Sequence, residues 1–194
     1  MSTSGSRMAF CPQCKAELQC RYIDGVERLT CSSSCGYVYW ENPTPVVAGL
    51  VQIQEGFVLA RNARWPSGMF SLITGFLEKG ESPEEAILRE THEELGVNTE
   101  ELQFIGHYSL PELNQLIIAF AVRASGEPRP SREIAEVLLL SRTELESFDF
   151  GNLELTAKIV AAALRRPNFP VNLTTESGAL SERAASRGCR LPTR

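Results

Sequence analysis

The sequence predicts an α+β domain of layered sheet and helix, preceded by a small metal-bound module. Three observations predict it. β-branched and aromatic runs alternate with helical stretches over residues 41–167. One central helix carries start and stop signals at both ends. Five of the six cysteines crowd into the first 35 residues. A chain of 194 residues, 43% apolar and 22% charged, is long enough for one ordinary core plus a small module. The net charge of −5 argues against a broad basic surface for a nucleic-acid backbone and leaves room only for a local patch. No run approaches a membrane span, and the start lacks a secretory core, so a cytoplasmic protein is expected, with no membrane partner.

The elements follow in order. Residues 1–10 read as a polar leader and 11–40 as the cysteine module. Asn42-Pro-Thr-Pro45 reads as a stiff linker, because proline fixes its own φ and restricts the residue before it. Val46–Ile53 and Phe57–Arg61 are expected strands around a turn at Gln54-Glu-Gly56, followed by a loop at Arg64–Gly68 and a strand at Phe70–Thr74 ending at Gly75. Ser82–Leu95 is an expected helix, with Ser82 as N-cap, Pro83 first in the helix, Glu85 closing a capping box and Gly96 as the stop. Leu102–Ser109, Leu116–Arg123 and Val137–Leu140 read as further strands, with a Pro-rich loop at Gly126–Arg132. Ser141-Arg-Thr-Glu144 is a second capping-box pattern opening a short helix. Leu153–Arg165 is an amphipathic helix with Leu155, Ile159, Val160 and Ala163 on one face. Residues 168–194 are polar, small and aperiodic, and a flexible tail is expected there.

The central helix carries the chemistry. Glu90, Glu93 and Glu94 stand at i, i+3 and i+4 and share one helix face, where like charges repel by a few tenths of a kcal/mol per pair. A hard cation reverses that penalty, and Mg²⁺ binds through a few carboxylates together with substrate phosphates. Arg89 lies four residues after Glu85 and four before Glu93, so it can pair with either. Gly75 and Gly80 suit a tight loop that lets backbone approach a phosphate. The triplet alone also fits a solvated acidic face; the pattern around it does not. Gly75, Glu81, Arg89, Glu90, Glu93, Glu94 and Gly96 stand at the fixed spacings of a known motif.

That segment resembles the Nudix box of the Nudix hydrolase superfamily, with Thr91 as the one soft departure from a usually aliphatic position. The resemblance implies an α/β/α sandwich with a mixed sheet over residues 41–167. It implies Mg²⁺, with Mn²⁺ as a substitute, bound mainly by Glu90 and Glu94. Glu93 would be a further ligand or the water-orienting base, Arg89 would orient the glutamates, and Glu81 would support the loop or bind a further metal. A late glutamate is expected from beyond the box, at Glu136 with Glu133 as the alternative. The implied reaction is cleavage of the diphosphate of a nucleotide derivative. A homodimer is also implied.

Cys11-Pro-Gln-Cys14 and Cys31-Ser-Ser-Ser-Cys35 are separated by sixteen residues, a spacing that suits a tetrahedral Cys₄ zinc site of the zinc-ribbon type. Disulfides or loose thiols are the competing reading. Four thiolates close the shell, so the zinc is expected to be structural. A zinc ribbon before a Nudix box resembles the NADH pyrophosphatase branch and its relatives. The stretch His107-Tyr-Ser-Leu-Pro-Glu-Leu-Asn-Gln115 lacks that branch's Ser-Gln-Pro-Trp motif and looks more like relatives of FAD and ADP-ribose pyrophosphatases. Arg61, Arg64, Phe70 and Tyr108 are candidate substrate contacts, and Trp65 and Phe76 are further aromatics near the expected site that could stack on a nucleobase, with core packing or surface charge as the competing role for each. FAD, ADP-ribose and NADH are the candidate substrates; NAD-cap removal from RNA and a non-catalytic nucleotide sensor are the alternatives.

Overall fold

The computed structural model describes residues 8–166. The chain divides into two compact units, Met1–Pro43 and Thr44–Arg194. The expected leader lies largely, and the expected tail wholly, outside the described residues.

The first unit is a three-stranded antiparallel sheet of β1 (Leu18–Ile23), β2 (Val26–Cys31) and β3 (Val38–Tyr39). Within residues 8–43 the buried side chains are Cys11, Thr30 and Cys31. Nothing resembling an apolar core lies among them, so packing cannot supply the folding energy of this unit.

The second unit is a six-stranded mixed sheet. Its strands are β4 (Thr44–Ile53), β5 (Gly56–Asn62), β6 (Ile73–Phe76), β7 (Asn98–Leu110), β8 (Gln115–Ser125) and β9 (Ile134–Leu140), in the order β7-β8-β4-β5-β9 with β6 on β4. Strand β4 runs parallel to β8, and every other pairing is antiparallel. The long parallel pairing explains why β4 and β8 are apolar almost throughout: both faces of the sheet are covered. Val46, Ala48 and Leu50 face one core with Ala119 and Ala121. Val47, Val51 and Ile53 face the other with Phe120 and Val122. Helix α1 (Pro83–Leu95) covers the second core through Ala86, Ile87 and Leu95. Helices α2 (Arg142–Glu146) and α3 (Glu154–Leu164) cover the first through Leu145, Ile159, Val160 and Ala163. The result is a helix–sheet–helix sandwich.

Several boundaries moved. Thr44 and Pro45 belong to β4 rather than to the linker, because they continue the ladder with Gln115 and Leu116 of β8. The strand expected at Phe70–Thr74 is instead Ile73–Phe76, since Gly75 and Phe76 pair with Val47 and Val46. Strand β7 starts at Asn98 and absorbs two register irregularities, near Thr99/Glu101 and Phe104/Gly106, which hide its alternation from sequence. Helix α1 starts and stops on the expected residues. Ser82 accepts from the Glu85 amide, Glu85 accepts back from Ser82, and Gly96 closes the helix in the left-handed region at φ 66°. No helix among the described residues is long and apolar enough to cross a membrane.

One detail of topology opens the site. The first half of β4 pairs with β6 from Val46↔Phe76 to Gly49↔Ile73, whereas its last residues pair with β5 from Val51↔Val58 to Ile53↔Gly56. Two different strands thus share one edge of β4, and a cleft opens where they part.

Candidate active site

The cleft has a volume of about 470 Å³ and is lined from both sides of that parting by Val46, Ala60, Leu72 and Thr74, among others. Glu90 and Glu94 of α1, Glu133 and Gly75 lie along it. Capping holds α1 in place, so its carboxylates meet the cleft as a fixed row.

Arg89 organises that row. Its Nε and Nη2 donate to the two oxygens of Glu81, at 2.9 and 3.1 Å. Nη1 donates to Glu90 at 2.6 Å and to Glu93 at 3.1 Å, and Nη2 also donates to the Phe76 carbonyl at 3.1 Å. The two-pronged contact with Glu81 fixes the guanidinium plane, which a lysine could not do. Of the two partners expected for Arg89, Glu93 is engaged. Glu85 is not, because its carboxylate is used in the helix cap. Gly75 has a local reason: a Cβ built there would run into the carboxyl group of Glu90, so only glycine lets Glu90 lie against β6.

Charge in the row is out of balance. Arg89 holds the Glu81 carboxyl below the usual carboxylate range through its hydrogen bonds. Glu90 is raised: burial outweighs the contact with Arg89. Glu94 has no ion-pair partner among the described residues. Burial, with Glu90, Glu133 and Glu93 adding repulsion, pushes its pKa up to about 8. Glu93 differs from its neighbours, with 57% of its side chain exposed. A half-buried, oxygen-only donor set with surplus negative charge fits a hard divalent cation. The carboxylates do not converge as tightly as the thiols described below; that cysteine set is the one group among the described residues whose ligand atoms all lie within 4.8 Å.

The two candidates for the late glutamate are placed differently. Glu136 is paired with Arg61 at 2.6 Å. The ladder explains this: a register irregularity sets Arg61 opposite Glu136 but Asn62 opposite Ile134. Directly opposed residues share a face, so Glu136 follows Arg61 to one side while Asn62 and Ile134 reach the cleft. Glu133 is the carboxylate beside Glu94. The Pro-rich loop carries it there by docking on the end of α1, with the Arg129 amide donating to the Leu95 carbonyl at 2.6 Å and that of Ser131 to Glu94 at 2.9 Å.

None of the candidate contacts Arg61, Arg64, Phe70 and Tyr108 lines this cleft. Arg61 is committed to Glu136 and to the Trp65 carbonyl. Arg64 is exposed in a turn. Phe70 is buried edge-on to Phe148, and Tyr108 packs on the same core, because both face the α3 side of the sheet. The cleft is lined by Asn62, Leu113 and Gln115, together with Trp65 and Phe76, the two other aromatics expected near the site. Leu113 and Gln115 fall within the stretch after Tyr108 that drew attention in sequence; which of its residues face the cleft is decided by the 3₁₀ turn Pro111–Leu113.

In the first unit, the sulfurs of Cys11, Cys14, Cys31 and Cys35 lie within 4.8 Å of one another. Cys14 and Cys31 are 3.3 Å apart, and Cys11 and Cys35 are 3.6 Å apart. A zinc with bonds of about 2.3 Å to tetrahedral thiolates spaces its sulfurs by about 3.8 Å, so the set fits that ion. Two tight turns aim the sulfurs: the Lys15 amide donates to the Cys11 carbonyl, and the Cys31 amide donates to Tyr37 across the turn at Gly36. Cys20 is exposed on β1 and takes no part.

Comparison with known proteins places this architecture. The chain belongs to the Nudix family, whose NUDIX domain model matches residues 43–162. It is 33% identical over 128 residues to an NAD-capped RNA hydrolase NudC of Pseudomonas aeruginosa, covering 66% of this chain and 45% of that protein. It is 38% identical over 93 residues to an NAD-capped RNA hydrolase NudC of Chromobacterium violaceum, covering 48% of this chain and 35% of that protein. The chain thus spans about half or less of the length of the curated relatives it matches. A crystal structure of a NUDIX hydrolase from Nitrosomonas europaea superposes with a TM-score of 0.68 at 26% identity, covering 84% of this chain and 96% of that one.

Proposed function

We propose that this protein is a Mg²⁺-dependent pyrophosphohydrolase that splits the diphosphate of a nucleotide derivative such as FAD, ADP-ribose or NADH. The products are a nucleoside monophosphate and a second phosphorylated fragment. The observation that carries this reading is Glu94: a half-buried carboxylate, flanked by Glu90 and Glu133 and with no ion-pair partner among the described residues, at a cleft of about 470 Å³.

Glu90, Glu94 and Glu133 would hold the metal, with Mn²⁺ as a substitute. The bound ion supplies Lewis-acid polarisation of the diphosphate and of the attacking water. Glu93, the exposed member of the row, accepts the proton from that water as it attacks one phosphorus in line. Arg89 keeps Glu90 and Glu93 oriented, and Glu81 anchors Arg89 from behind. Gly75 allows Glu90 its position. Trp65 and Phe76 offer apolar faces for a nucleobase, and Gln115 an amide for its polar edge.

A second reading, removal of an NAD cap from RNA, is favoured by the activity for which the NudC relatives are named and involves the same bond type. One panel separates the readings. Purified protein with Mg²⁺ is incubated with FAD, ADP-ribose, NADH, sugar nucleotides and NAD-capped RNA, and products are resolved by chromatography. Release of AMP from a free dinucleotide supports the first reading, and preference for capped RNA supports the second. Binding without turnover of any member would leave only a sensor and would overturn both. We also propose a zinc-loaded homodimer in the cytoplasm. A reducing compartment keeps a thiolate cluster intact, and light scattering on the eluting protein reads the subunit number.

A further inference from the structure

We propose that one face of the zinc-ribbon sheet is a docking surface for single-stranded nucleic acid. The strand register carries the argument. Directly opposed residues share a face, and the pairs Gln19↔Thr30 and Arg21↔Arg28 put both arginines of the sheet on one side. Glu27, opposite Tyr22, falls on the other side. Two like charges placed directly across a ladder repel, and no carboxylate among the described residues pairs with either guanidinium. Residues 1–43 carry four basic and four acidic side chains, so the whole formal charge of −5 belongs to the rest of the chain. A neutral module that gathers its sheet arginines on one face presents a local cationic spot on an otherwise acidic protein.

The spot is built for more than charge. The guanidinium of Arg28 lies over the Trp40 ring at 4.9 Å from its centroid, and its Nη1 donates to the Trp40 carbonyl at 2.8 Å. Trp40 remains 48% exposed. Arg21 is exposed and its guanidinium lies against the Gln19 side-chain amide, which accepts from it when the amide is assigned with its oxygen toward the arginine. A guanidinium held in place attracts phosphate with less loss of side-chain freedom. An open indole beside it stacks a base of any identity. An acidic peptide would use the charge and leave the indole idle, so a strand of alternating phosphate and base is the better match. This inference does not rest on the hydrolytic reading, and none of its residues lines the cleft.

The test uses the zinc-loaded full chain and a fluorescent single-stranded RNA twelve-mer with a plain 5′-phosphate, followed by anisotropy over a salt series. Arg21→Glu should weaken binding about tenfold and lower the slope of log affinity against log salt by about one phosphate. Trp40→Ala should weaken binding about tenfold and leave the salt slope in place, since stacking is not ionic. In both variants zinc content and hydrolysis of a free dinucleotide should match the parent, which separates this result from failure of the hydrolytic site or of the fold. Failure of the parent chain to bind the RNA, parent-like affinity in both variants, or equal affinity for a polyglutamate peptide would each overturn the proposal.

Discussion

The two units of this chain set their candidate metal ligands in opposite surroundings. In the ribbon, the buried residues are two cysteines and a threonine, so the thiolate cluster stands where a core would be. In the sandwich, two apolar clusters on either face of the sheet hold the fold, and the carboxylates are spread along its rim. On the proposed reading the first unit would depend on a zinc ion for structure. The second holds its carboxylates close together through its own apolar clusters, and Glu94 there resists ionisation. Where the fold is secure, repulsion can be stored for a ligand; where it is not, the ligand must come first.

The largest effect should come from the ribbon. Structural zinc contributes about 10–16 kcal/mol in small finger peptides, more than an ordinary domain's whole stability. Cys11→Ser, or a strong chelator, should therefore remove about one zinc per chain and melt residues 18–39, while residues 44–166 keep their amide protection. Hydrogen exchange resolved along the chain, with metal analysis, reads both. A ribbon that stays protected without zinc would erase the contrast.

Next in size is the opposite case. Glu94→Gln should lower turnover at least about 100-fold, roughly 2.7 kcal/mol in the barrier, while leaving zinc content and fold intact. The same side chain sets a pH dependence. Its pKa lies at about 8 in the metal-free chain, far above its value when unfolded, so the neutral acid is the form the fold favours. That stabilising contribution is complete in acid and is lost as pH rises through about 8. Melting temperature in the absence of Mg²⁺ should fall on that limb, Glu94→Gln should flatten the fall, and Mg²⁺ should bind more tightly as the proton leaves. Thermal scans across the pH series check the sign; a parent chain whose melting point climbs through about pH 8 without metal would refute it.

The smallest effect sharpens the comparison from within the core. Thr91 is completely buried on α1, and its hydroxyl has no hydrogen-bond partner among the described residues. Thr91→Val keeps the shape and removes the stranded group, so it should stabilise the sandwich by about 1 kcal/mol. Chemical denaturation measures that gain, and turnover should be unchanged.

Much of this was legible in the residues alone. Helix α1 was readable to its caps because Ser82, Pro83, Glu85 and Gly96 act locally, through bonds to residues three or four positions away. The acidic row was readable because helical spacing brings Glu90, Glu93 and Glu94 together whatever the rest of the chain does. The cysteine pairs were readable for a similar reason: each pair is a short loop whose turn aims both sulfurs. The substrate contacts were legible only in part. Trp65 and Phe76 line the cleft, whereas Phe70, in the loop before β6, and Tyr108, on β7, pack into the α3 core.

What the sequence by itself determined is therefore everything governed by near neighbours: the carboxylate helix, its glycine stop, the thiolate knuckles and the family these imply. Only the tertiary structure decided which late glutamate meets them. That choice depends on the slip in pairing at Arg61 and Asn62 and on the loop that fastens Arg129 and Ser131 to the end of α1. Both couple residues more than thirty positions apart. A single-residue slip moves a side chain to the other face of a sheet, and no local propensity records it.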